Sequence, residues 1–367
     1  MLNIQSYGGA GDGVTDNVTP LMLAFAALGA TGGQIYFPAG KYKFSSNVAL
    51  TFPTGQFSVS IVGDGSDATI LTWPSAHGGL TFNYQTIASS FHIRDLSLTT
   101  GTTDGGNALT LNLPLSVAGP AITASSDIVR VTFRGDDAYA GVDYWTTGLN
   151  IANVSNINVD SCAFFGAASP AGQGIYIVGL PSSSTYAVVL NVAKSDFNWL
   201  NTGLLYGSYV QGITVDQGNF TGNISGIKSA VGETGVLAQL GVSNSQFGIF
   251  QAGNGIVTGT MVVVTQITNS LFIVTASGAN AVFLESCGHF TITGNCVTSS
   301  INSGTNGIVI GATQAKGIIT GNDVFGFTSG IYLQAASHNV AVVSNTLSNN
   351  IYAISNQGSG NTISPNY

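Results

Sequence analysis

The sequence predicts an all-β chain: a single-stranded parallel β-helix of about 10–12 coils, closed at its amino-terminal end by one short α-helix. Three observations predict it. First, a small residue followed by alternating apolar positions recurs: GLNI at 148, GIYI at 174, GLLY at 203, GIKS at 226, GIVT at 255, AVFL at 281, GIVI at 307, GIYL at 330 and, more loosely, YAIS at 352. The mean step is about 25 residues, a spacing that belongs to stacked repeats. Second, each repeat carries another alternating segment, such as NINVD at 156, GITVD at 212, FTITG at 290 and GIITG at 317. β-branched residues at period two read as strands, and no repeat has a helical period. Third, Asn244, Asn269, Asn295, Asn322 and Asn345 close successive segments as VSN, ITN, TGN, TGN and VSN. One column of stacked amides satisfies itself along the axis, and Asn tolerates the left-handed backbone of a sharp turn. That column is read as structural.

Taken in order, residues 1–45 form the cap of the same domain, and residues 46–367 form the β-helix. Thr19-Pro20 starts the helix, with a capping hydroxyl and proline at the first helical position. Leu21, Ala24, Phe25 and Leu28 give it one apolar face, and Gly29 to Gly33 stop it. Such a helix covers the open apolar end of the first coil. Residues 46–147 hold wider coils: FHIRDLSL at 91 is one rung, DIVRVTF at 127 the next, and GTTDGGNALTLNLP between them reads as an excursion.

Composition narrows the partners. The chain has 16 acidic residues against 8 Lys and Arg, a net charge of −8, which argues against nucleic acid because phosphate contacts need basic groups. No run of apolar residues is long enough to span a membrane, and no basic start followed by an apolar run marks a secretory signal. Cys162, Cys287 and Cys296 lack metal-site spacing, and their odd number argues against a disulfide framework. They read as small packed groups, with a Cys287–Cys296 bond as the alternative.

The stretch GAGDGVTDN, a short helix, GG, IYFPAGKY and then VGDGSDATIL resembles the amino-terminal signature of the pectate-lyase-like superfamily of right-handed parallel β-helices. The resemblance covers roughly residues 4–75 and implies the fold more than the reaction. The group includes polygalacturonase-type hydrolases, exo-acting glucanases, polysaccharide lyases and phage tailspike depolymerases. It implies structural roles for Asp12 and Asp16, which cap and pin the entry helix. The polygalacturonase pattern is absent: Asp136-Asp137 stand without a G-H-G or an R-I-K step.

The most chemically loaded stretch is FRGDDAYAGVDYWTTG at 133–148, with Asp136, Asp137 and Asp143 beside Tyr139, Tyr144 and Trp145. Aromatic faces stack on sugar rings, and carboxylates bind hydroxyls or transfer protons. The alternative is a surface loop held by its own Asp turns. No cofactor is expected, although the same three Asp offer the hard oxygen ligands that suit Ca2+.

In the first strand of each repeat, Leu149, Ile175, Leu204, Ile227, Ile256, Val282, Ile308 and Ile331 face inward. Asn150, Tyr176, Leu205, Lys228, Val257, Phe283, Val309 and Tyr332 then face outward. That stripe is too apolar for a free surface and points to a homotrimer or a covering loop. The second strand presents polar residues outward, among them Asn158, Asp160, Asn191, Thr214 and Asp216, a face of the kind that binds a glycan chain, with Asn158 and Asn191 as candidate substrate-binding residues. Asp160 and Asp216 fall in one column two rungs apart, about 9.6 Å between backbones. That suits the acid and base of an inverting glycosidase, with Lys194 supplying a positive charge between them. The alternative is a pair of turn-starting residues on a solvated face. Glu285 and Glu233 are weaker candidates. His77, His92, His289 and His338 read as hydrogen-bonded structural residues.

The sequence therefore points to a polysaccharide depolymerase, hydrolytic through paired carboxylates and tailspike-like, outside the cell or on a virion. A lyase acting by β-elimination would instead draw on Lys194, Arg130 and Arg134. A non-catalytic glycan-binding spike or structural fibre is the third class.

Overall fold

The computed structural model describes residues 1–75, 77–114, 123–179, 188–231, 237–259, 262–311 and 316–367. Glu233 lies outside these described residues. Contacts divide the chain into two units, Met1–Leu200 and Asn201–Tyr367.

The first unit opens with helix α1, Val18–Ala26, which buries Pro20, Leu21 and Ala24. The helix begins at Val18, one residue before the expected cap at Thr19. Asn17 holds the N-cap position without a side-chain cap. Fully buried, Asn17 instead donates its amide to the Ala10, Thr15 and Lys43 carbonyls. Asp16 does pin the entry: it accepts from Val18 N and from Ser45 N and Oγ. Asp12 accepts from Val14 N, Thr15 N and Thr15 Oγ, and so shapes the preceding turn rather than the helix. Phe25 packs on Phe52 and Phe57 at 6.3 and 5.7 Å, which is how α1 covers the first rung.

Behind the cap, three parallel strand stacks repeat. One contains Val48–Thr51, Leu80–Asn83, Asn107–Asn112, Thr147–Ala152 and Gln173–Val178. The expected excursion therefore contains a rung, and Leu109 and Leu111 are fully buried in it. The second stack is β1 (Ser58–Val62), the start of β2 (Ser90–Thr100), the start of β3 (Ser126–Gly135), β4 (Ile157–Asp160) and β5 (Val188–Ala193). The third stack runs through the later halves of β2 and β3 to Ala163–Phe165 and Asp196–Asn198. Inside it, Phe133, Phe164 and Phe197 stack face to face at 4.6 and 4.9 Å.

The second unit repeats the pattern with seven rungs of the first kind, from Thr202–Tyr206 to Tyr352–Asn356. Phe220, Phe247 and Phe272 form its aromatic stack, each pair 4.7 Å apart. The eight inward residues expected across both units are all fully buried. Of the outward stripe, Val257 and Val309 are buried and the rest half-buried, so part of it is already covered within the chain.

The asparagines form two columns, not one. Asn244 and Asn269 are exposed corners with φ of 50°. Strand register aligns them with Gly294, Gly321 and Ser344, which also have positive φ. The next column is buried and runs Ser245, Ser270, Asn295, Asn322 and Asn345. There the amides bond in series, Asn295 Nδ2 to Asn322 Oδ1 and Asn322 Nδ2 to Asn345 Oδ1, both at 2.9 Å. All three cysteines are free; Cys162 and Cys287 are buried and Cys296 is exposed. No helix among the described residues is long and apolar enough to cross a membrane.

Candidate functional site

Strand β3 runs into a tight loop, residues 136–146, before the next rung opens at Thr147. Asp137 organises this loop. Its Oδ1 accepts from Ala138 N at 2.9 Å and its Oδ2 from Val142 N at 2.7 Å. A Cβ on Gly141 would collide with the Asp137 Oδ2, so a larger residue there would displace that carboxylate. Asp136 is ion-paired with Lys41 at 2.7 Å and accepts from Thr99 Oγ at 3.2 Å. Asp143 is half-buried beside them, and no hydrogen bond holds its carboxyl among the described residues. Burial pushes this carboxyl above the usual range, and the charges of Asp137 and Asp136 push it further.

A second set flanks the loop. Arg134 bonds Asp67 at 3.2 Å and lies over the Tyr139 ring at 5.0 Å. The Tyr139 hydroxyl donates to Asp67 as well. Burial alone would raise the Asp67 carboxyl, but these two donors outweigh it and lower it. The bond to Asp67, with some burial, raises the Tyr139 phenol. Tyr139 is 46% exposed and leans on the edge of Phe165 at 5.0 Å, so its ring is anchored while open to solvent.

Trp145 corrects the sequence reading. It is 2% exposed, its indole donates to the Leu98 carbonyl at 3.1 Å, and it packs edge-on against Trp73. It belongs to the core and offers no stacking face. Tyr144 is half-buried. Asp137 spends its oxygens on backbone amides, so the three Asp do not converge as cation ligands. Among the described residues no group of three His, Cys, Asp or Glu side chains could hold a metal ion.

Asp160 and Asp216 both end strands, each with a half-buried side chain pointing outward. They lie in different units, and each has its own local tie. Ser161 Oγ donates to Asp160 at 3.4 Å; Ser243 Oγ and Asn244 Nδ2 both donate to Asp216 at 2.8 Å. Lys194 is an exposed corner with φ of 49°, after β5 rather than on its face. Arg130 is a similar corner with φ of 51°, paired through Nε and Nη2 with Asp95.

On the outer face of β1–β5 the expected glycan-facing Asn158 and Asn191 join a group whose His92 and Asp127 the sequence reading did not single out as a site. Ser60, His92, Asp127, Asn158 and Asn191 are direct neighbours in register. His92 Nδ1 lies 2.8 Å from Asp127 Oδ2, Asn158 Nδ2 donates to Asp127 Oδ1 at 3.0 Å, and Asn191 Nδ2 donates to Asn158 Oδ1 at 3.1 Å. With Ser58, Arg94 and Val129, the first of these line a concavity of about 440 Å³. His92 is therefore partnered by a carboxylate at an open surface. Aligning HIRDL with DIVRV, two segments already read as successive rungs, would have placed it there. His77 and His338 each meet a backbone carbonyl, and exposed His289 lies opposite Lys316.

Comparison with known proteins adds the family. The sequence model of the rhamnogalacturonase A/epimerase, pectate lyase-like family matches residues 1–260. Mannuronan C5-epimerase AlgE2 of Azotobacter vinelandii is 33% identical over 120 residues, which is 28% of this chain and 12% of the epimerase. The match thus spans about an eighth of that relative's length. Among solved structures, the A-module of mannuronan C-5 epimerase AlgE6 from A. vinelandii superposes with a TM-score of 0.72 at 16% identity, over 100% of this chain and 98% of that one. The tailspike protein of Escherichia coli bacteriophage HK620 superposes at 0.61 with 12% identity, over 99% and 80%. At such identities the likeness is one of fold.

Proposed function

The chain belongs to the rhamnogalacturonase A/epimerase, pectate lyase-like family, and on that footing we propose that it is a polysaccharide depolymerase that hydrolyses glycosidic bonds at the 136–146 loop. One observation carries the reading. The loop sets the unbonded, half-buried Asp143 carboxyl within the field of Asp136, which is ion-paired with Lys41, and the same loop carries the open ring of Tyr139. Two carboxyls in unlike surroundings divide the work of acid and base. Asp143, held towards its protonated form by burial and by neighbouring charge, gives its proton to the leaving glycosidic oxygen. Asp136 faces the developing positive charge at the sugar carbon as base or nucleophile. Asp137 positions the loop through backbone amides, and Tyr139 stacks on a sugar ring.

The setting that fits is tailspike-like, outside the cell or on a virion, with the half-buried apolar stripe contributing to a homotrimer. Support comes from the family and from the fold shared with a phage tailspike. The experiment is a digestion panel of neutral and uronate-containing polysaccharides. Reducing ends and the ultraviolet absorbance of an unsaturated uronate are followed together. Hydrolysis gives new reducing ends with flat absorbance. Absorbance rising in step would mean β-elimination and would overturn the hydrolytic reading.

A further inference from the structure

A hydrogen-bonded Ser–His–Asp relay lies on β2 and β3: His92 and Asp127 line the concavity, and Ser90, 9% exposed, borders it beside Ser58. Ser90 and His92 are two residues apart on β2 and share its outward face, while Phe91 and Ile93 are fully buried between and beyond them. His92 Nε2 lies 3.2 Å from Ser90 Oγ, and His92 Nδ1 lies 2.8 Å from Asp127 Oδ2 on the next rung. Asn158 holds the other Asp127 oxygen at 3.0 Å, so the carboxylate is fixed from its far side. A carboxylate accepts only, which puts the neutral ring's proton on Nδ1 and leaves Nε2 to accept from the serine. The Ser90 hydroxyl donates to Ser58 Oγ at 2.9 Å, and rotation about its Cβ–Oγ bond turns the same proton towards Nε2. Arg94 follows on the same face and lines the same concavity. Unlike Lys41, Arg130 and Arg134, it has no carboxylate ion pair among the described residues.

Nucleophile, base and orienting carboxylate are thus assembled away from the 136–146 loop. We infer that this concavity is a second catalytic site, a serine esterase that removes small acyl groups from sugar hydroxyls. The choice of a sugar ester as substrate rests on the proposed glycan-directed function; the relay itself does not. A small acyl group fits because only Ile93 and Val129 are apolar among the seven residues that line the concavity. Ser90 Oγ adds to the ester carbonyl carbon as His92 Nε2 takes its proton. A tetrahedral oxyanion results. The bond from carbonyl carbon to sugar oxygen then breaks, and the sugar hydroxyl leaves with the proton from His92. Water, deprotonated by His92, cleaves the acyl-serine; carboxylic acid and free Ser90 result.

A fluorophosphonate probe tests this without knowledge of the natural ester, because it phosphonylates activated serines. The full chain is incubated with the probe, and the adduct is located by peptide mass. The expected result is a single adduct on Ser90, absent in Ser90→Ala. Labelling should slow about 100-fold in His92→Gln and Asp127→Asn variants whose circular dichroism is unchanged. No adduct on Ser90 in the folded wild type would overturn the proposal. Labelling that is equally fast in Asp127→Asn would also overturn it, since the relay would then contribute nothing. Adduct mass and reducing-end release are separate readouts, so failure of this site and failure of the hydrolase reading are distinguishable.

Discussion

Replacing Asn322 by Ala tests whether the buried amide column, rather than the exposed corners beside it, holds the second unit's turns. Asn322 is 1% exposed. Its Oδ1 accepts from Asn295 N at 3.0 Å and from Asn295 Nδ2 at 2.9 Å. Its Nδ2 donates to the Ile292 carbonyl at 3.0 Å and to Asn345 Oδ1 at 2.9 Å. Alanine orphans the buried Asn295 N–H, at a cost of about 1–3 kcal/mol, and removes amide contacts of about 0.5–1.5 kcal/mol each. Asn295 Nδ2 keeps the Ile267 carbonyl and Asn345 Oδ1 keeps Asn322 N, which limits the loss. The sum is about 2–4 kcal/mol. Stacked repeats open locally, so the loss is best read by hydrogen exchange at the Asn295 amide. Exchange there should quicken by about 30- to 1,000-fold. The control is Asn269→Gly at an exposed corner, where glycine takes φ of 50° freely and the change should stay within about 0.5 kcal/mol. Equal acceleration in the two variants, or less than about threefold in Asn322→Ala, would refute the two-column account.

Further expectations concern charge. Asp143 has a folded value above its unfolded one, so stability falls as pH rises from about 3.8 through the folded value. Asp143→Asn should therefore raise the melting temperature at neutral pH and leave it unchanged in strong acid. Asp12 is shifted the opposite way, to about 2, chiefly by the Thr15 and Val14 amides. Its contribution is complete above the unfolded value of about 3.8 and is lost as pH falls through about 2. The melting-temperature deficit of Asp12→Ala should therefore close over that range. On the proposed reading, in which the exposed Tyr139 ring stacks on a sugar away from the reacting atoms, Tyr139→Ala should raise KM more than it lowers kcat.

Much of the fold could be read from the sequence because period-two alternation is a direct record of burial. Leu149 to Ile331 needed no more than their spacing to be placed inside. The asparagines misled because VSN and TGN look alike as triplets, while the register shifts them by one residue. Asn244 takes the left-handed corner that Gly294 fills two rungs on, and Asn295 takes the buried place of Ser270. Trp145 shows a second limit: composition brings an aromatic ring near carboxylates but does not tell which face of the coil receives it. Only the Leu98 carbonyl and the Trp73 edge decide that it turns inward. His92 and Asp127 were hidden for a different reason. They are 35 residues apart, and only a rung-by-rung alignment makes them neighbours.

The central claim is that Asp143 supplies the proton for glycosidic cleavage. The measurement is the initial rate of reducing-end release by Asp143→Asn against wild type, on whichever polysaccharide the panel shows to be cleaved. The account predicts a loss of about 10²- to 10⁴-fold, the usual range for removing a positioned general acid, in a variant that still melts cooperatively. A rate within about threefold of wild type would contradict it and remove the 136–146 loop from the chemistry.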